Sequence, residues 1–117
     1  MISSYKKVYI CYPYSDDPDS NIEAVCNIAR EISQKNLEII SSSDPGTFII
    51  PIAVHLLFPR FMSEEVFSRE VAMECCFRVL LSCDEIWVCG PRITEGMRQE
   101  ISKAARYDIR IVWRNFE

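Results

Sequence analysis

With 117 residues, 49% hydrophobic and 26% charged, the chain is one domain's worth of ordinary globular sequence, long enough to bury roughly two thirds of the surface its unfolded form exposes. Thirteen Lys and Arg against seventeen Asp and Glu leave a net charge of -4, which excludes the basic field that would hold nucleic acid. The longest apolar stretch, Phe48 to Val54, is broken by Pro51 and falls far short of the about 20 residues a membrane span needs. Met1 to Lys7 runs straight into a strand pattern without a separate apolar segment, so no signal peptide is read and a cytoplasmic location is expected.

Val8-Tyr9-Ile10-Cys11 is a β-branched and aromatic run that predicts a buried first strand. Two prolines and three aspartates between Tyr12 and Ser20 make the next segment a loop, after which Ser20 or Asn21 is placed to cap a helix. Ile22, Val25, Cys26, Ala29 and Ile32 recur at helical spacing, and the helix is expected to end near Lys35-Asn36. Leu37 to Ile40 is read as the possible opening of another strand, Ser41 to Gly46 as a turn, and 47–52 as a strand in which Pro51 demands an edge, a bulge or a strand end. His55 to Met62 is an apolar loop, of the kind that packs over a ligand or a neighbouring subunit. Ser63 is expected to cap a long helix with Val66, Phe67, Val71, Cys75 and Leu80 on its buried face. A strand over 85–89, broken by Gly90-Pro91, leads to a third helix that starts near Thr94 and buries Met97, Ile101, Ala104 and Ala105. Ile109 to Trp113 is the last strand.

Helices alternating with short β-rich runs predict an α/β fold in a single domain over 1–117, with parallel strands and right-handed crossovers. Ligands of such sheets bind beyond the carboxyl ends of the strands. Those ends hold Tyr12, Pro13, Tyr14, His55, Gly90, Arg92, Thr94, Glu95, Gly96 and Met97, the candidate binding residues. Three glycines are too few for a dinucleotide or a Walker loop, whereas Thr94 and a helix N-terminus, aided by Arg92, suit an anion such as a 5′-phosphate. His55 fits either a packed structural residue or a base. The six cysteines (Cys11, Cys26, Cys75, Cys76, Cys83 and Cys89) form no CxxC pair and the one histidine is remote from them in sequence. They read as reduced core thiols, with no metal site expected.

Asp84, Glu95 and Glu100 are the carboxylates placed for chemistry. Gly96 and Glu100 are four apart and share a helix face, so the glycine leaves space beside the Glu100 carboxylate. A sugar packed on the glycine would meet a carboxylate nucleophile, as in retaining glycoside chemistry. The same residues also fit a solvated glutamate on a surface helix. Tyr9 needs a partner for its hydroxyl if buried, and a carboxylate across the sheet edge would supply one.

Val8 to Tyr14, Cys83-Asp84-Glu85-Ile86-Trp87-Val88-Cys89-Gly90 and Ile93 to Ile101 resemble, in order, segments of the nucleoside 2-deoxyribosyltransferase-like family. The resemblance is to a small bacterial and phage branch in which His55-Leu56-Leu57-Phe58-Pro59 and Ile93-Thr94-Glu95-Gly96-Met97 have counterparts. It implies a flavodoxin-like three-layer sandwich with an open, mainly parallel sheet of four to five strands. It implies cleavage or transfer at the N-glycosidic bond of a nucleoside or nucleotide, with Glu100 as nucleophile, Tyr9 orienting it and Asp84 near the base or helping to organise the pocket. No cofactor is implied, and a homo-oligomer is. The rival expectations are a non-catalytic nucleotide- or nucleoside-binding module and an interaction protein whose cleft is degenerate.

Overall fold

The first strand, β1 (Tyr5–Cys11), has neighbours on both sides, and the alternation of its side chains sorts the core into two halves. Val8 and Ile10 point to one face, Tyr9 and Cys11 to the other, and all four are fully buried. The computed structural model describes residues 4–42, 46–62 and 68–114. Its remaining elements are helix α1 (Pro18–Ser41), strand β2 (Phe48–Ile52), two 3-10 turns (Val54–Leu56 and Phe58–Arg60), helix α2 (Arg69–Leu81), strand β3 (Glu85–Val88), helix α3 (Glu95–Arg106) and strand β4 (Arg110–Trp113).

The four strands form one sheet in the order β2-β1-β3-β4, every pair parallel. α1 covers the face carrying Val8, Ile10 and Trp87 through Val25, Ile28 and Ile32. α2 and α3 cover the other face through Leu80, Met97 and Ala104, which meet Tyr9, Cys11, Ile86 and Val88. This is the expected α/β three-layer, flavodoxin-like sandwich. The strand order reverses between β1 and β3, so the crevice that such sheets offer to ligands opens at the carboxyl ends of those two strands.

Pro51 lies in β2, which pairs with β1 alone, so its missing N–H costs no second ladder. The first helix departs most from expectation. α1 runs 24 residues and takes in Leu37 to Ile40, where a strand was in view. The reason is Asn36, a buried polar residue in mid-helix. Its Nδ2 donates to the Ile49 carbonyl at 2.7 Å, and its Oδ1 accepts from the Ile49 N–H at 2.9 Å. The amide serves as a substitute strand for the backbone of β2, which puts Asn36 on the buried face of the helix rather than at its end.

The helix begins at Pro18, with Asp17 at the cap position and no side-chain capping bond. Asn21 is instead buried in the first turn, where its Nδ2 donates to Tyr14 O (3.0 Å) and Asp16 Oδ1 (2.8 Å) and ties down the loop after β1. For the second helix, Ser63, Val66 and Phe67 lie outside the described residues. In the described part Ser68 is the cap, its hydroxyl accepting from Val71 N at 3.2 Å, and Val71 is exposed rather than buried. The inward face there is Cys76, Val79 and Leu80. On α3 Thr94 caps as expected, accepting from Met97 N at 3.3 Å, whereas Ala105 is exposed and Glu100 takes an inward place. Asp108, with φ of 58°, turns the chain into β4, a backbone state that aspartate tolerates better than most residues.

Candidate active site

A cleft of about 480 Å³ lies beyond the carboxyl ends of β1, β2 and β3, between α2 and the first half of α3. Its walls are largely aromatic and aliphatic: Tyr12, Tyr14, Phe58, Met62, Met73 and Met97. Its polar groups are few, namely His55, Ser68, Arg69, Cys76, Thr94 and Glu100, with Ser15 at the loop. A mostly apolar hollow with a few placed polar groups is the usual form of a small-molecule site.

Glu100 is 6% exposed and is the one carboxylate lining the cleft among the described residues. It sits in mid-α3, where one turn after Gly96 brings it over the β1 strand. The Tyr9 hydroxyl donates to Oε2, and the Cys11 thiol donates to Oε1 at 3.5 Å. The alternation of β1 explains the pair: residues two apart point to the same side of the sheet, so Tyr9 and Cys11 reach one carboxyl group together. No cation pairs with Glu100 among the described residues. Burial therefore dominates and pushes its pKa up to about 7, against the stabilising bonds from Tyr9 and Cys11. Burial, and next the nearby Glu100 charge, hold the Tyr9 hydroxyl and the Cys11 thiol well above their ordinary values. Cys76, across on α2, is pushed up to about 12 by the same two causes. These side chains stay protonated, Tyr9 and Cys11 acting as donors to the carboxylate, and the titrating group at neutral pH is the carboxyl.

His55, also 6% exposed, stands at the opposite wall between the rings of Tyr12 and Tyr14, edge-on to both (centroids 6.5 and 5.5 Å). Its Nε2 lies 2.9 Å from the Tyr12 carbonyl. A carbonyl only accepts, so Nε2 carries the proton. Burial lowers the pKa of the ring, outweighing the carbonyls of Tyr12 and Pro13. The imidazole is thus neutral, with Nδ1 as a buried lone pair that has no hydrogen-bond partner among the described residues.

Of the expected site residues, the cleft brings together Tyr12, Tyr14, His55, Thr94, Gly96, Met97 and Glu100, with Tyr9 buried behind Glu100. The others go elsewhere. Asp84 precedes β3 at the amino end of the sheet, about four strand residues (~13 Å) from the cleft, and its carboxylate accepts from Lys7 N at 2.8 Å. It closes the start of the strand and neither sits near a bound base nor organises the cleft. Arg92 turns away to pair with Asp16, its Nε 2.7 Å from Oδ2, joining the loops after β1 and β3. Hydrogen bonds from Arg92, then Asn21, hold the Asp16 carboxyl below its ordinary value. Glu95 is exposed on the outer side of α3, in a separate surface hollow with Arg98.

Gly90 and Pro13 act through backbone shape and do not line the cleft. Gly90 has φ of 108°, and a Cβ there would meet Pro13 Cδ and the Tyr12 ring at 3.0 Å. Only glycine lets the two loops approach this closely. Three contributors were missed from sequence. Cys11 was signalled by its two-residue spacing from Tyr9. Arg69 and Cys76 carried no signal, because only the packing of α2 against α3 brings them to the cleft.

All six cysteines are free, no described helix is long and apolar enough to cross a membrane, and no cluster of three metal-ligating side chains occurs among the described residues. Comparison with protein-family models matches residues 6–114 to the Domain of unknown function (DUF7768). No curated protein and no solved structure matches the chain.

Proposed function

The chain belongs to the DUF7768 family of domains of unknown function, and from the geometry of its cleft we propose that it cleaves or transfers the N-glycosidic bond of a nucleoside or nucleotide through Glu100. One observation carries this reading: a carboxylate buried at the floor of an open cleft with a donor on each oxygen and no counter-ion among the described residues. Burying such a group without a cation costs stability. Such a group beside a ligand-sized hollow suits a catalytic role. The segments around Tyr9 and Glu100 are also those that resemble the nucleoside 2-deoxyribosyltransferase-like family.

In the first step a Glu100 oxygen bonds to C1′ of the sugar as the C1′–N bond breaks. The electron pair of that bond leaves with the base, which takes a proton from solvent. In the second step water or another base attacks C1′ and returns the carboxylate. Glycosidases that expel an alcohol use a second carboxyl as acid. A nitrogen heterocycle is a better leaving group, which suits a cleft lined by a single carboxylate. Tyr9 and Cys11 fix the carboxylate and hold its charge, and Tyr12, Tyr14 and Phe58 offer flat apolar surface to a base.

The test is base release from a panel of nucleosides and 5′-nucleotides, with and without an acceptor base, for the wild type and Glu100→Gln. Release that disappears in the variant, with a rate that rises with pH through about 7 as the carboxyl ionises, is the expected result. Ligand binding without any release by the wild type would overturn the catalytic reading and leave a binding module.

A further inference from the structure

The sheet ends in β2 on one side and β4 on the other, and the two edges are built differently. Successive residues of a strand turn their backbone groups to opposite sides. Asn36 takes both the N–H and the C=O of Ile49, so Ile49 and Pro51 are the residues of β2 that face away from β1. Ile49 is satisfied there and Pro51 has no N–H to offer. The outer side of β2 is thereby closed to another strand. β4 carries neither device. Arg114 N donates to Val88 O at 3.0 Å, so Arg110, Val112 and Arg114 turn their backbone groups to β3, and those of Ile111 and Trp113 point outwards. No strand among the described residues pairs with that side. Trp113, 65% exposed, stands on this edge, and Tyr107, 53% exposed, ends α3 just before it. No residue of β4 lines the cleft.

We propose that β4 is the contact edge of a two-fold dimer, in which β4 of one copy pairs antiparallel with β4 of a second copy and joins the two sheets into one. The sequence of the edge fits a second copy in one register. Centred on Val112, the pairing would set Arg110 opposite Arg114, like charges that repel. Centred on Ile111, it sets Arg110 opposite Val112, Trp113 opposite Ile109, and the exposed Asp108 opposite the exposed Arg114 of the other copy. The two Ile111 residues then exchange both backbone bonds, and each Trp113 N–H reaches the Ile109 carbonyl across the axis. The ladder stops there, because the Ile109 N–H is already given to Ala104 O at 2.8 Å. The closed edge decides the symmetry. A head-to-tail contact of β4 on β2 would propagate into a fibre, but β2 accepts no strand, so the dimer has a closed edge at each end and grows no further.

The experiment is sedimentation velocity of the full chain from about 5 μM to about 0.5 mM, a range suited to a small interface, with amide exchange followed by NMR at both ends of it. A monomer–dimer equilibrium is expected, with the Ile111 and Trp113 amides exchanging at least about tenfold more slowly at the upper concentration. Trp113→Lys puts a charge on the edge at an exposed position, and should weaken the dimer at least about tenfold while leaving the melting temperature of the dilute protein unchanged. The exchange readout needs no variant. A monomer throughout, a dimer whose Ile111 and Trp113 amides exchange equally fast at both concentrations, or a dimer indifferent to Trp113→Lys would overturn the proposal. Polymers that lengthen with concentration would point to β4 on β2 and overturn it as well.

Discussion

Cys11 Sγ lies 3.5 Å from Glu100 Oε1, the carboxylate oxygen that Tyr9 leaves free. The two donors occupy different oxygens, so neither replaces the other. A thiol is a weak donor, and its removal costs the ionised carboxyl less than the loss of a hydroxyl would. Cys11→Ala should raise the Glu100 pKa by about half a unit, within the range of one modest hydrogen bond. Cys11→Ser, which keeps a donor, should hold it close to the wild-type value. Carboxyl carbon NMR of labelled glutamate across pH reads the shift directly, and an unchanged titration in Cys11→Ala would remove Cys11 from the site.

The buried Glu100 also makes stability depend on pH. Its folded-state pKa is about 7, raised from an ordinary 4.5 chiefly by burial. A raised folded value means that the stabilising contribution is complete below the unfolded pKa and is lost as pH climbs through the folded one. Across that window the wild type should lose about 3 kcal/mol at most. Glu100→Gln has no charge to bury, so its melting temperature should exceed the wild type's at pH 8 and lie near it at pH 5. Parallel melts at the two pH values decide this, and a wild-type advantage at pH 8 would contradict it.

Arg92 was expected at the ligand and is found on Asp16, with both side chains well exposed. Exposed pairs contribute little. Arg92→Gln should therefore leave ligand binding and the melting temperature almost unchanged. A tenfold loss of nucleoside or 5′-nucleotide affinity in this variant would return Arg92 to the site.

Gly96 supplies space rather than backbone freedom, because a Cβ there meets only the Arg69 guanidinium, at ordinary contact distance. Gly96→Ala should fold and bind with a small loss. Gly96→Leu should also fold but lose at least tenfold in ligand affinity by filling the cleft beside Glu100. Circular dichroism together with titration separates a filled cleft from a broken helix.

Away from the site, Asn36 holds both backbone groups of Ile49. Asn36→Ala leaves them without partners and should lower stability by about 2 kcal/mol in denaturant unfolding. A change under 0.5 kcal/mol, within the usual range of surface substitutions, would show that water replaces the amide there.

Much of this protein is determined locally and is legible in the chain. Short β-branched and aromatic runs mark β1 and β3, period-3.6 patterns mark the helical faces, the alternation of elements dictates parallel crossovers, and Pro51 confines its residue to an edge, a bulge or a strand end. Gly96 and Glu100, one turn apart, mark the carboxylate on any helix that carries them, and Thr94 caps that helix as its chemistry requires. Tertiary structure decided what distance along the chain conceals. Asn36 reads as a helix terminus until β2 lies beside it with a backbone to satisfy. Asp84 and Glu100 are both carboxylates near strand ends, and the parallel sheet alone separates them, one at its amino edge and one over its carboxyl edge. Arg69 is an ordinary surface arginine in sequence, and it becomes a group in the cleft only because the packing of α2 against α3 sets it opposite a glycine. Local propensity acts over a few residues, whereas charge, burial and hydrogen-bond supply at a site come from segments brought together by the whole fold.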